Sequence, residues 1–201
     1  MVRTAVRGFC LAVFTMLFCV VAPVGAFADS GTGGASYTPP PPPAPDPSTV
    51  PLGQPTPLVP GVRAVLLADG TAAAPADAPA NVQNAIWAAN TLQKLPYRYG
   101  GGHKSFISRR GYDCSGTVSF ALHGASLLRT PLDSGSFMRW GLAGKGDWFT
   151  VYTNPGHAFA VIAGLRLDTS PAGDRGGLRG PHWRPVLRST RGFRARHPLG
   201  F

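Results

Sequence analysis

Residues 112–122 read Tyr-Asp-Cys-Ser-Gly-Thr-Val-Ser-Phe-Ala-Leu, "YDCSGTVSFAL". Val118, Ala121, Leu122 and Ala125 follow the i, i+3, i+4, i+7 spacing of one buried helix face. Asp113 stands where a helix N-cap belongs, because its carboxylate can accept from the unpaired amides of the first turn. Cys114 is therefore predicted in that turn, where free amides and the helix dipole favour thiolate over thiol.

The N-terminus decides which cysteines accompany it. Arg3 and Arg7 precede an apolar run that ends in Ala26-Phe27-Ala28. A basic start, an apolar middle and a small-x-small ending make a secretory signal peptide, expected to span residues 1–28. Pro23 and Gly25 near the end favour cleavage over a retained membrane anchor, so no stable membrane insertion is expected afterwards. Cys10 and Cys19 would leave with the signal, and Cys114 then has no internal disulfide partner. An odd cysteine in an oxidising compartment implies a bridge between chains or a thiol kept for chemistry. The alternative is an inert, buried cysteine acting as a small hydrophobe.

Residues 29–79 read as a Pro/Ala-rich linker. The stretch "TPPPPPAPDPSTVPLGQPTPLVPG" has too few apolar side chains to offset ordering entropy and favours polyproline II. Within it, Val62–Leu67 ("VRAVLL") is a short strand expected to dock on the domain. Residues 80–201 carry the composition of one globular core, with no internal repeat. Loss of Arg3 and Arg7 lowers the formal net charge from +10 to about +8. Every acidic residue is Asp, and arginines crowd the segment from Arg166 to Arg196. Such a basic surface suits polyanions such as anionic wall polymers. No helix-turn-helix, zinc-finger or RNP-like pattern is present, so nucleic acid is not expected as a partner.

Asn81–Leu95 has Val82, Ile86, Ala89 and Leu92 at helical spacing, with Pro96 closing it. A glycine-rich loop follows, then the helix opened by Cys114. Trp148–Thr153, His157–Ala163, "LRLDTS" and "HWRPVL" read as strands, so the fold class is α+β with an antiparallel meander.

A thiolate nucleophile needs a base, itself oriented by a third group. Of five histidines, His157 begins an apolar strand directly after Asn-Pro-Gly, a position that exposes its ring at the sheet edge. A two-residue turn near Gly164 would place Asp168 on the same face as His157, whereas a three-residue turn would not. Arg109 and Arg110 stand just upstream of the cysteine. The Cys/His/Asp set lacks metal-site spacing, and no metal or other cofactor is expected.

In order along the chain, "LPYRYGGG" (95–102), "YDCSGTVSFAL", "LLRTPLDS" (127–134) and "GHAFAVIAG" (156–164) resemble the landmarks of the NlpC-type cysteine peptidases of bacterial cell walls. The resemblance implies a papain-like fold, with helices packed on a small antiparallel sheet and the nucleophile at a helix N-terminus. It implies Cys114 as nucleophile, His157 as general base and Asp168 at the third position, where the family commonly has histidine. Tyr97 and Ser115 are then expected on the oxyanion and substrate side. The implied activity is hydrolysis of peptidoglycan stem peptides by an exported enzyme in the cell wall or periplasm. Two other readings stay open: a catalytically silent peptidoglycan-binding module, and an amidase or acyltransferase on the same scaffold.

Overall fold

The computed structural model describes residues 56–174, 177–185 and 187–201. The expected signal peptide and the linker up to residue 55 lie outside the described residues.

Two helices form the layer that carries the nucleophile. In α1 (Ala80–Asn90), Val82, Ala85, Ile86 and Ala89 are buried. It stops short of the expected Leu95 because Thr91 folds its hydroxyl onto the Ala88 carbonyl at 2.7 Å. Asn90 also turns its amide to the backbone of Ala72, at 2.8 and 2.9 Å. Helix α2 (Cys114–Gly124) begins at the predicted residue, with Asp113 as N-cap. A side chain at Gly124 would come within 2.3 Å of the Ala88 Cβ, so this glycine lets the two helices approach closely. A single turn, α3 (Ser134–Phe137), follows.

Residues 58–75, expected as linker apart from one docked strand, are part of the fold. β1 (Leu58–Val59), β2 (Val65–Leu66) and β3 (Ala72–Pro75) make a three-stranded sheet in the order β1-β3-β2. The expected strand at 62–67 shrinks to Val65–Leu66, and the central strand is the alanine run, buried throughout. Alanines carry little hydrophobic signal each, but Ala72 and Ala74 join the core with α1, the Asn90 amide pairs with the Ala72 backbone, and the Ala74 amide donates to the Pro57 carbonyl. The folded unit thus reaches well before residue 80.

The main sheet has six strands in the order β4-β9-β5-β6-β7-β8. They are β4 (Leu142–Ala143), β5 (Phe149–Asn154), β6 (His157–Ile162), β7 (Leu165–Asp168), β8 (His182–Arg184) and β9 (Arg194–His197). All its pairings are antiparallel. Ala158, Ala160, Ile162, Leu167 and Trp183 join the helices in one hydrophobic core. β9 lies in the arginine-rich tail, which the sequence presents only as a basic surface and not as a strand. It enters the sheet because Arg196 reaches the carbonyls of Trp140 and Gly141 at 2.6 Å each. The molecule is an α+β protein. Among the described residues no helix is long and apolar enough to cross a membrane.

Candidate active site

The start of α2 is locked before any catalytic group is placed. The Asp113 carboxylate accepts from the Gly116 amide at 2.8 Å and from the Gly100 amide at 2.9 Å. His103 Nε2 lies 3.0 Å from both of its oxygens. One carboxylate therefore caps the helix and ties the glycine-rich loop to it. The Arg98 amide donates to the Tyr112 carbonyl at 3.0 Å, and the Tyr112 amide to Pro96 at 3.2 Å, which sets the two segments side by side. A Cβ at Gly116 would sit 2.0 Å from the Gly101 carbonyl oxygen, so the motif glycine is required by this contact.

That clamp leaves two amides unused. Gly116 and Thr117 donate to Asp113, whereas the Cys114 and Ser115 amides have no acceptor among the described residues. Free first-turn amides are the usual consequence of a helix start. Here they flank the cysteine.

β6 and β7 supply the partner groups. Their register pairs Ala160 with Leu167 and Ile162 with Leu165, across a turn formed by Ala163 and Gly164. Both turn residues have positive φ, 46° and 84°, as a two-residue hairpin of this hand requires. Extending the register sets Phe159 against Asp168 and leaves His157 a diagonal step away on the same face. His157 Nε2 lies 2.9 Å from Asp168 Oδ1. The imidazole also lies beside the Cys114 side chain, close enough for each to act on the other's charge. With Nε2 engaged by the carboxylate, Nδ1 is the nitrogen left for sulfur.

The electrostatics of the three groups agree. Burial pushes the Cys114 thiol up, but hydrogen bonds from His157 and from the Ala158 amide outweigh it and hold the thiol below its ordinary value. Burial alone would push His157 down. Asp168 and Cys114 together reverse this and raise it to about 9. Asp168 is almost fully buried, which disfavours its charge. Nevertheless His157, the Ser170 amide at 2.8 Å and Arg188 at 3.2 Å keep it below the usual carboxylate range. Both shifts favour the thiolate–imidazolium pair over the neutral thiol and imidazole.

Beside them is a cleft of about 200 Å³ lined by Tyr97, His157, Thr169, Ser170, Pro171 and Arg179. Tyr97 faces it from the glycine-rich loop, and burial together with the nearby Cys114 and Asp113 raises its phenol. Ser115 does not join this cleft. Its hydroxyl turns the other way, 3.3 Å from His103 Nε2 and 3.4 Å from Asp113 Oδ1. Only its backbone amide remains for a ligand near Cys114.

The other histidines are held elsewhere. His123 stacks on Phe106 with ring centroids 3.9 Å apart, His182 contacts the Pro181 carbonyl, and His197 contacts the Gly144 carbonyl. Arg109 and Arg110 are exposed. Three participants had no sequence signal: the Ala158 amide, the Ser170 amide and Arg188. Arg188 stands over Phe159 and Phe193, 5.3 and 5.2 Å from their ring centroids, while it pairs with Asp168. Arg166, fully buried on the same strand as Asp168, places Nε 3.9 Å from its carboxylate. Among the described residues no group of three or more His, Cys, Asp or Glu could hold a metal ion.

The sequence matches no protein-family model and no curated protein.

Proposed function

We propose that residues 56–201 form a papain-like cysteine peptidase domain of the NlpC type, exported to hydrolyse peptidoglycan stem peptides. One observation carries the reading. Cys114 opens α2 beside His157, each favouring the other's charged form, and His157 Nε2 is 2.9 Å from the buried Asp168. Nucleophile, base and orienting group are thus connected in the order that acyl transfer needs.

The thiolate of Cys114 attacks a peptide carbonyl, and the carbonyl π electrons move onto oxygen. The Cys114 and Ser115 amides are available to that oxyanion, with the Tyr97 phenol at the cleft wall. Collapse of the adduct breaks the C–N bond, and the His157 imidazolium gives its proton to the departing amine. A thioester remains on Cys114. His157, now neutral, takes a proton from water as its oxygen attacks the thioester, and the second collapse releases a carboxylic acid and the thiolate. Throughout, Asp168 holds the ring by Nε2 and stabilises its charged form. No metal or other cofactor enters this scheme.

Incubation of purified peptidoglycan with the mature chain, read by mass spectrometry, tests the proposal. Shortened stem peptides are expected from the native protein and none from Cys114→Ala, with wall binding retained in both. Stem peptides left whole by the native protein would refute peptidase action and favour a binding module. Products cut at a bond other than a stem-peptide bond would indicate amidase or transferase chemistry instead.

A further inference from the structure

The cleft wall beside Cys114 carries a cation that the scheme above does not use. Arg179 lines that cleft, and its side chain is exposed. Neighbouring arginines are committed: Arg184 to Asp174 and the Leu178 carbonyl, Arg188 to Asp168, and Arg166 to the Ala172 carbonyl. Arg179 makes no ion pair or side-chain hydrogen bond among the described residues. Its charge is nonetheless felt at Tyr97.

The fold holds it there. The Gly180 amide donates to the Thr169 carbonyl at 3.0 Å and closes the loop that ends in Arg179. Gly180 adopts φ +122°, and a Cβ on it would come 2.9 Å from the Leu95 carbonyl oxygen. Glycine is needed for the loop to press against the segment that leads into Tyr97.

Around the cation the cleft offers hydroxyls whose protons are free to donate. The Tyr97 and Thr169 hydroxyls have no hydrogen-bond partner among the described residues. The Ser170 hydroxyl accepts from the Ala172 amide at 3.3 Å, which leaves its own proton to donate. A guanidinium with unspent hydroxyls suits an anion, and its planar fork matches a carboxylate best. His157 protonates the leaving amine, so the wall it shares with Arg179 is the leaving-group side.

We propose that Arg179, with the hydroxyls of Tyr97, Thr169 and Ser170, forms a subsite for a free carboxylate on the leaving-group side of the scissile bond. This rests on the peptidase reading of Cys114 and His157. It makes peptides with an unblocked carboxylate on that side the preferred substrates.

Alkylation of Cys114 tests the subsite without a peptide substrate. The thiolate displaces iodide from either iodoacetate or iodoacetamide, reagents that differ in the carboxylate alone. With the mature chain, Arg179→Gln is expected to slow iodoacetate by roughly two- to fivefold, the range an exposed ion pair supports. Iodoacetamide should be unaffected. Arg129→Gln, an exposed arginine remote in sequence, should change neither rate. Paired peptides ending in a free acid or a carboxamide should show the same preference in kcat/KM, lost in Arg179→Gln. A reagent ratio unmoved by Arg179→Gln, or moved equally by Arg129→Gln, would overturn the carboxylate subsite and leave the peptidase reading standing. Failure of both reagents at Cys114 would instead overturn the nucleophile and the subsite with it.

Discussion

Replacing Asp168 by asparagine removes one charge from the centre of the site and keeps an oxygen that can accept from His157. In the native protein the imidazole is raised from 6.5 to about 9 against the opposing effect of its burial. That difference corresponds to about 3 kcal/mol in favour of the imidazolium. Asp168 contributes more of it than Cys114 does. The His157 side chain is only 20% exposed, so solvent screens the interaction weakly. Asp168→Asn is therefore expected to bring the alkaline limb of kcat/KM down by about one to two pH units. A second effect accompanies it. Arg166, fully buried with Nε and Nη2 unbonded, and Arg188 both lose their anion, at a cost of about 3 kcal/mol in stability. Linkage supplies an independent signature. The raised His157 contributes stability that is complete below 6.5 and is lost as pH rises through about 9. Urea unfolding of the native chain should show this decline, and the variant should show much less of it. The assay is the pH dependence of stem-peptide cleavage, with unfolding followed on the same samples. A folded variant whose alkaline limb stayed near the native position would refute the assignment of Asp168 as the group that holds the imidazolium.

Two other perturbations test different parts of the structure. Gly116→Ala places a Cβ 2.0 Å from the Gly101 carbonyl oxygen and should cost about 1–3 kcal/mol in urea unfolding, with a greater loss of thiol reactivity because the shift falls beside Cys114. Arg188→Gln removes the 3.2 Å contact to Asp168 and should lower stability at neutral pH by about 2 kcal/mol. Because the Asp168 carboxylate is depressed in the fold, this difference should be full above its ordinary pKa and shrink as acid protonates it; a difference independent of pH would count against the pairing.

Much of the site was legible in the chain because its signals are local. A helix announces its start through the capping Asp113 and the periodicity from Val118 to Ala125, so the placement of Cys114 in the first turn follows from neighbours within one or two turns. Strand alternation with a two-residue turn is also local arithmetic, and Ala163–Gly164 supplies that turn. The alanine strand at 72–75 had no such signature, since alanine reads alike in helix, strand and linker. Its place follows from the Asn90 amide and the face of α1. The tail strand Arg194–His197 was hidden for a related reason: its arginines look solvated until the carbonyls of Trp140 and Gly141 are brought to them.

What the sequence alone determined was the nucleophile's setting at the helix start and a parity that permits His157 to meet Asp168. Tertiary structure decided the meeting itself, through the register of β6 and β7. It also turned the Ser115 hydroxyl away from the cleft and added the Ala158 amide, Arg188 and Arg179 to its surroundings. These contacts join residues distant in the chain, and their geometry depends on which strands pair and which loops close, information that no short stretch of sequence contains.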